Sequence, residues 1–152
     1  IVQRLIALDG DLMACLPLIM ELFLELSRHM DRSQSGVSTY ARFKSSSLQE
    51  LIRWTNENYD RKIAIEEVAR MAGYSKYHFC SRFKAETGTT YMNYLNSVRV
   101  SHACLMLRHG DSVQTVCRNC GFENTSHFIQ IFKRIQHMTP HQYAIQQKKR
   151  NV

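Results

Sequence analysis

An all-α fold built around a duplicated helix-turn-helix unit is predicted by three observations. Hydrophobic residues make up 44% of the 152 positions with only 2 Pro and 6 Gly, a composition that suits packed helices rather than a disordered or turn-rich β chain. From Leu48 onward apolar residues recur at i, i+3, i+4 and i+7, the spacing of one buried helix face. The segment from Ile65 to Tyr94 also recurs as the segment from Val113 to Tyr143. The length supports one or two small cores and excludes a large multidomain enzyme. Lys and Arg total 20 against 13 Asp and Glu, and the excess of +7 points to a polyanionic partner, nucleic acid before an anionic membrane surface. Residues 1–43 hold four basic and five acidic side chains, so the positive charge belongs to the rest of the chain.

The run LMACLPLIMELFLEL, Leu12 to Leu26, is apolar almost all round a helix, with Glu21 and Glu25 marking a narrow polar stripe. It is shorter than the roughly 20 residues of a membrane span, carries two carboxylates and contains Pro17, so it is expected to pack on protein. Leu16, Met20, Phe23 and Leu24 are the residues expected to pair with a second copy of the chain. The opening at Ile1, already inside a hydrophobic pattern, is expected of a piece of a longer protein. Residues 1–30 are then a helical element, and 31–43, polar and small, a linker. Ser45 to Ser47 can cap the next helix, whose buried face is Leu48, Leu51, Ile52, Thr55 and Tyr59, with Trp54 at its flank.

The two repeats align with an offset of 48 residues from Ile65/Val113 to Tyr74/Phe122. One inserted residue makes the offset 49 for His78/His127, Phe79/Phe128, Phe83/Phe132, Thr90/Thr139 and Tyr94/Tyr143. Each copy has a short helix, a Gly followed by an aromatic residue, and a second helix. Ala69, Ala72, Cys117 and Cys120 are small enough for close helix approach, while Gly73 and Gly121 supply the positive φ of the turn. Phe79 and Phe83 anchor the second helix of the first unit, leaving Lys76, Tyr77, Cys80, Ser81 and Lys84 outward. Arg82 and Glu86 can pair one turn apart. In the second unit Phe128, Ile131, Phe132 and Ile135 form the buried stripe, and Ser126, Ile129, Gln130 and Lys133 face away. Between the units, Tyr91, Tyr94, Leu95, Val98, His102, Leu105 and Met106 keep helical spacing up to a C-cap at Gly110. Thr139 and Pro140 start a last helix carrying Tyr143.

These residues resemble the DNA-binding domain of the AraC/XylS family of bacterial transcription regulators. The resemblance is carried by AxxAGYSxxxFxxxFKxxTG from Ala69 to Gly88, YLNSVRVSHA from Tyr94 to Ala103, GFENTSHFIQIFK from Gly121 to Lys133, and MTPHQY from Met138 to Tyr143. It implies a seven-helix DNA-binding domain over residues 44–147 with two helix-turn-helix units on a long linker helix, followed by a basic tail at 148–152. It further implies that Tyr77, Cys80 and Ser81 of the first unit and Thr125, Ser126, Ile129 and Gln130 of the second reach base edges. Lys76, Lys84, Lys133 and Arg134 would then anchor phosphates. Double-stranded DNA is the implied partner and an activator of transcription the implied role. RNA polymerase, a homodimer through residues 1–30, and an effector bound by a further N-terminal portion complete the expectation. One departure is His137, where the family has Gly before the Thr-Pro element. Another is that Cys80, Ser81 and Ile129 lack the forked donors of strong base readers.

Competing chemistries are weaker. Cys117 and Cys120 with His137 and His141 have a CxxC and HxxxH look, but sixteen residues separate Cys120 from His137, and the repeat gives the cysteines the packing roles of Ala69 and Ala72. No metal or cofactor is expected. His78 and His127 occupy equivalent positions beside the buried Phe and read as local packing residues. There is no Gly-rich phosphate loop or nucleophile elbow, which argues against an enzyme. A helical interaction module that has kept the fold without DNA binding is the runner-up. Five cysteines, an odd number set in apolar patterns, read as reduced thiols in a cytoplasm.

Overall fold

The structure, a computed structural model, describes residues 45–150. The apolar run at Leu12–Leu26, its pairing residues Leu16, Met20, Phe23 and Leu24, and the 31–43 linker lie outside the described residues. Seven helices follow one another among the described residues, without a strand. They are α1 (Ser45–Asn58), α2 (Ile65–Met71), α3 (Lys76–Thr87), α4 (Tyr91–His109), α5 (Val113–Asn119), α6 (Thr125–Gln136) and α7 (Pro140–Arg150).

Local chemistry sets most of these boundaries. Ser75, Thr90, Ser112 and Asn124 are N-caps whose side chains accept from backbone N–H groups one turn on, satisfying donors that a helix start leaves unpaired. Thr139 and Gln142 form a reciprocal box at the start of α7: the Gln142 N–H donates to Thr139 Oγ1 at 3.2 Å and the Thr139 N–H to Gln142 Oε1 at 2.9 Å. The two turns inside the repeated units match bond for bond. In the first, Gly73 N–H donates to Arg70 O and Tyr74 N–H to Ala69 O; in the second, Gly121 N–H donates to Arg118 O and Phe122 N–H to Cys117 O. Both glycines have φ of 74°, the left-handed conformation that ends a helix tightly.

Two hydrophobic cores result. The first gathers Leu48, Leu51, Ile52, Val68, Phe79 and Phe83 with the N-terminal half of α4. The second gathers Val116, Cys117, Cys120, Phe128, Phe132 and Tyr143 with its C-terminal half. The repeat is visible in ring geometry as well: Phe83 lies 5.9 Å from Tyr94 and its counterpart Phe132 lies 5.7 Å from Tyr143, centroid to centroid. Trp54 flanks the first core as its position implied. Tyr59 falls just past the end of α1, where its ring stacks on His102 at 3.8 Å.

The linker helix departs from the single buried stripe expected of it. Every residue from Tyr94 to Ser101 is buried, including Asn96, Ser97 and Arg99. With one core on each side, α4 has no solvent face over that stretch, and its polar side chains turn back on backbone carbonyls: Ser97 Oγ donates to Asn93 O and Ser101 Oγ to Ser97 O, both at 3.0 Å. Leu105, expected in the stripe, is only half-buried.

Candidate nucleic-acid interface

The outward face of α3 is presented as its spacing predicts. Phe79 and Phe83 are fully buried, while Lys76, Tyr77, Cys80, Ser81 and Lys84 are exposed. Tyr77 is 86% exposed, and an aromatic ring standing free of the core is a surface available to a partner. Lys76 is tied back to α2 by a 2.7 Å ion pair with Glu66. That hydrogen bond raises the Lys76 pKa and lowers that of Glu66. Arg82 and Glu86 form the expected pair at 2.7 Å. His78 sits edge-on to Tyr74 at 4.6 Å, and His127 edge-on to Phe122 at 6.1 Å, so the duplicated histidines pack against the duplicated turn aromatics.

On α6, Thr125, Ser126, Gln130, Lys133 and Arg134 are exposed. Asn124 Oδ1 accepts from the N–H groups of Ser126 at 2.8 Å and His127 at 3.2 Å, which fixes the first turn that carries Ser126. Ile129 corrects the sequence reading: it is half-buried and packs against the second core instead of facing away. Its β-branched side chain flanks the Phe128 and Ile131 stripe closely enough to gain apolar contact there. Arg134 reaches from α6 to the first turn of α4, where its Nη2 donates to Asn93 Oδ1 at 3.4 Å. Asn93, exposed at that junction, was not singled out by periodicity, because a polar residue in a helix's first turn carries no local signal.

Together α3 and α6 carry five cations (Lys76, Arg82, Lys84, Lys133 and Arg134) against one carboxylate, Glu86. The CxxC and HxxxH residues do not converge. Cys117 and Cys120 point into the second core, with the Cys120 thiol pushed up to about 12 by burial, whereas His137 and His141 are exposed. Arg99, on α4 between the two units, is a buried cation that sequence reading did not single out. It is 8% exposed, and its Nε and Nη2 donate to Tyr59 O at 2.8 Å and Arg61 O at 2.9 Å. Burial lowers its pKa, and the signal that could have found it is a lone full charge inside the run from Tyr94 to Ala103.

Two like helix-turn-helix units on one buried helix, each with a cationic and polar outer face, define a double helix-turn-helix domain. Residues 68–146 match the family described as "Helix-turn-helix domain". The chain is 32% identical over 101 residues to the uncharacterized HTH-type transcriptional regulator YdeC of Bacillus subtilis (strain 168), covering 66% of this chain and 35% of the relative. It is 33% identical over 102 residues to the HTH-type transcriptional activator RhaS of Klebsiella pneumoniae (strain 342), covering 66% and 37%. Among solved structures, the DNA-binding domain of AdpA, a global transcriptional factor in complex with a target DNA, is similar with a TM-score of 0.65 and 28% identity, covering 68% of this chain and 95% of that one. The chain belongs to the AraC/XylS family of transcription regulators, and its described part is that family's seven-helix domain. It spans about a third of the length of the two curated relatives.

Proposed function

We propose that the chain is a sequence-specific DNA-binding regulator of transcription that lays α3 and α6 into successive major-groove segments of one duplex. The duplicated outward face carries this reading: equivalent positions of two equivalent helices are exposed, polar and cationic, while their Phe anchors are buried. The 19 residues of α4 span about 28 Å at 1.5 Å per residue, of the order of the 34 Å between successive groove segments on one side of B-DNA. The similar AdpA domain, solved in complex with a target DNA, supports DNA as the partner.

Tyr77, Cys80 and Ser81 on α3, with Thr125, Ser126 and Gln130 on α6, read base edges. Lys76, Lys84, Lys133 and Arg134 neutralise phosphates. Gln130 is the strongest reader, since its amide both donates and accepts toward adenine. Ile129 contributes only the part of its side chain that the core leaves uncovered, an apolar contact for a thymine methyl. Activation rather than repression is supported by the name of the RhaS relative. The wider reading places the protein in the cytoplasm as a 1–30 helical element, a 31–43 linker and the 44–147 domain. It makes residues 1–30 a homodimer contact, RNA polymerase a partner, and an effector the ligand of a further N-terminal portion.

Duplexes selected from a random library supply the test. Gln130→Ala is expected to cost about 1–3 kcal/mol on the preferred site and to relax preference at one position. Lys133→Ala is expected to weaken all sequences alike and to lower the salt slope by about one. Affinity without any salt dependence would instead favour an interaction module, and identical uniform effects of both substitutions would dissolve the division into reader and anchor.

A further inference from the structure

The boundary between the two cores falls at one residue of α4. Residues up to Val98 face the first core, those from Val100 face the second, and Arg99 stands between them. The segment from Tyr59 to Lys62, which joins α1 to α2 just ahead of the first unit, is fastened there to the second unit. Arg99 donates to the carbonyls of Tyr59 and Arg61 and lies over the Phe122 ring at 5.4 Å. The Tyr59 ring packs against both cores. Gly121 sits so close beneath the segment that a Cβ there would stand 2.7 Å from the carbonyl oxygens of Tyr59 and Asp60. Lys62 and Glu123 close the outer side at 2.9 Å. Among the described residues nothing comes within 4 Å of a Cβ built at Gly73, the counterpart in the first unit. Within them the clamp is found at the second turn, where the units meet.

We infer that Arg99 is a positioning residue for DNA reading: by clamping Tyr59–Lys62 onto the Gly121 turn it sets the spacing between α3 and α6, and so the separation of half-sites that the protein accepts. The carbonyls it holds lie just past the C-terminal end of α1, in the turn that leads to α2. A buried guanidinium whose donors are fixed in a planar fork tolerates little rotation of the two carbonyls it joins. Without that fork, α5 and α6 remain attached through their own core and the 110–112 connection, and both reading faces stay intact. The inference rests on the DNA-reading function proposed above.

The test uses the 152-residue chain, the duplex it selects from a random library, the same duplex with one base pair inserted between the half-sites, and each half-site alone. Wild type is expected to bind the inserted duplex at least about tenfold more weakly. For Arg99→Met the insertion penalty is expected to fall to about threefold or less, with half-site affinity unchanged, because no reading residue is altered. Arg99→Lys, which keeps charge and stem but loses the fork, is expected to fall between them and carries the test if the Met variant loses its helical circular dichroism. An insertion penalty equal to that of wild type in a folded variant overturns the inference alone. Loss of fold in both variants makes Arg99 a folding residue and also overturns it. A wild-type chain that selects no duplex sinks the function itself.

Discussion

His137 shows how one residue can hold a turn that its neighbours in the repeat assign to glycine. It caps α6 with φ of 58°, the only non-glycine among the described residues in the left-handed region. Gly73, Gly88, Gly110 and Gly121 take the other positive-φ positions. A Cβ in that conformation costs roughly 1–2 kcal/mol, although histidine tolerates it better than bulky or branched residues. The side chain is exposed, so little packing is lost on removing it. His137→Gly is expected to raise stability by about 0.5–1 kcal/mol, the relief of backbone strain less the added freedom of the unfolded chain. Urea unfolding followed by circular dichroism measures it, and an unchanged or lower midpoint refutes it. Ile129 illustrates the opposite limit, because a residue at the edge of a helical stripe leans inward or outward according to what its neighbours leave open.

At the level of elements, the two helix-turn-helix units share caps, turns and ring geometry but differ in what lies against the turn. Gly73 needs only its positive φ, whereas Gly121 needs both the φ and the missing side chain. Gly73→Ala is therefore expected to cost about 1–2 kcal/mol. Gly121→Ala is expected to cost on the order of 3 kcal/mol or more, since the 59–60 backbone must move to admit the methyl group. Equal costs in chemical denaturation would mean that the close approach is not sustained in solution. The alignment of the repeats shows two equivalent glycines and has no means of telling them apart. The chemistry that separates them comes from a segment about sixty residues earlier in the chain, beyond the reach of any local pattern.

For the domain as a whole, both cores answer together to alkaline pH. Burial pushes Tyr91 in the first core, and Cys120 and Tyr143 in the second, up to about 12 from ordinary values of 10, 9 and 10. The folded chain holds these protons where the unfolded chain releases them. The stabilisation is complete below pH 9, falls as the unfolded groups ionise, and is gone once the pH passes about 12. A tenfold difference in proton affinity between folded and unfolded chain is worth about 1.4 kcal/mol. Denaturant midpoints across pH 8 to about 12 are expected to be level at first and then to decline. In Cys120→Ala the decline is expected to begin about one pH unit higher, where tyrosine takes over from the thiol. A midpoint that stays flat to about pH 12 would show that these groups are not held protonated by burial.

Much of this domain was legible in the amino-acid order. Helical spacing marked the anchors Phe79, Phe83, Phe128 and Phe132, cap chemistry marked Gly110 and the Thr139-Pro140 start, and the repeat marked two like units with exposed faces. These are local properties: a helix's period and its end bonds are set by residues within a turn or two. Tertiary structure alone decided that α4 is buried on all sides from Tyr94 to Ser101, that Ile129 leans onto the second core, and that Arg99 joins Tyr59 and Arg61 across some forty positions of chain. Burial on a second side and pairing at long range depend on which elements meet, and no spacing along one helix records what packs against its far face.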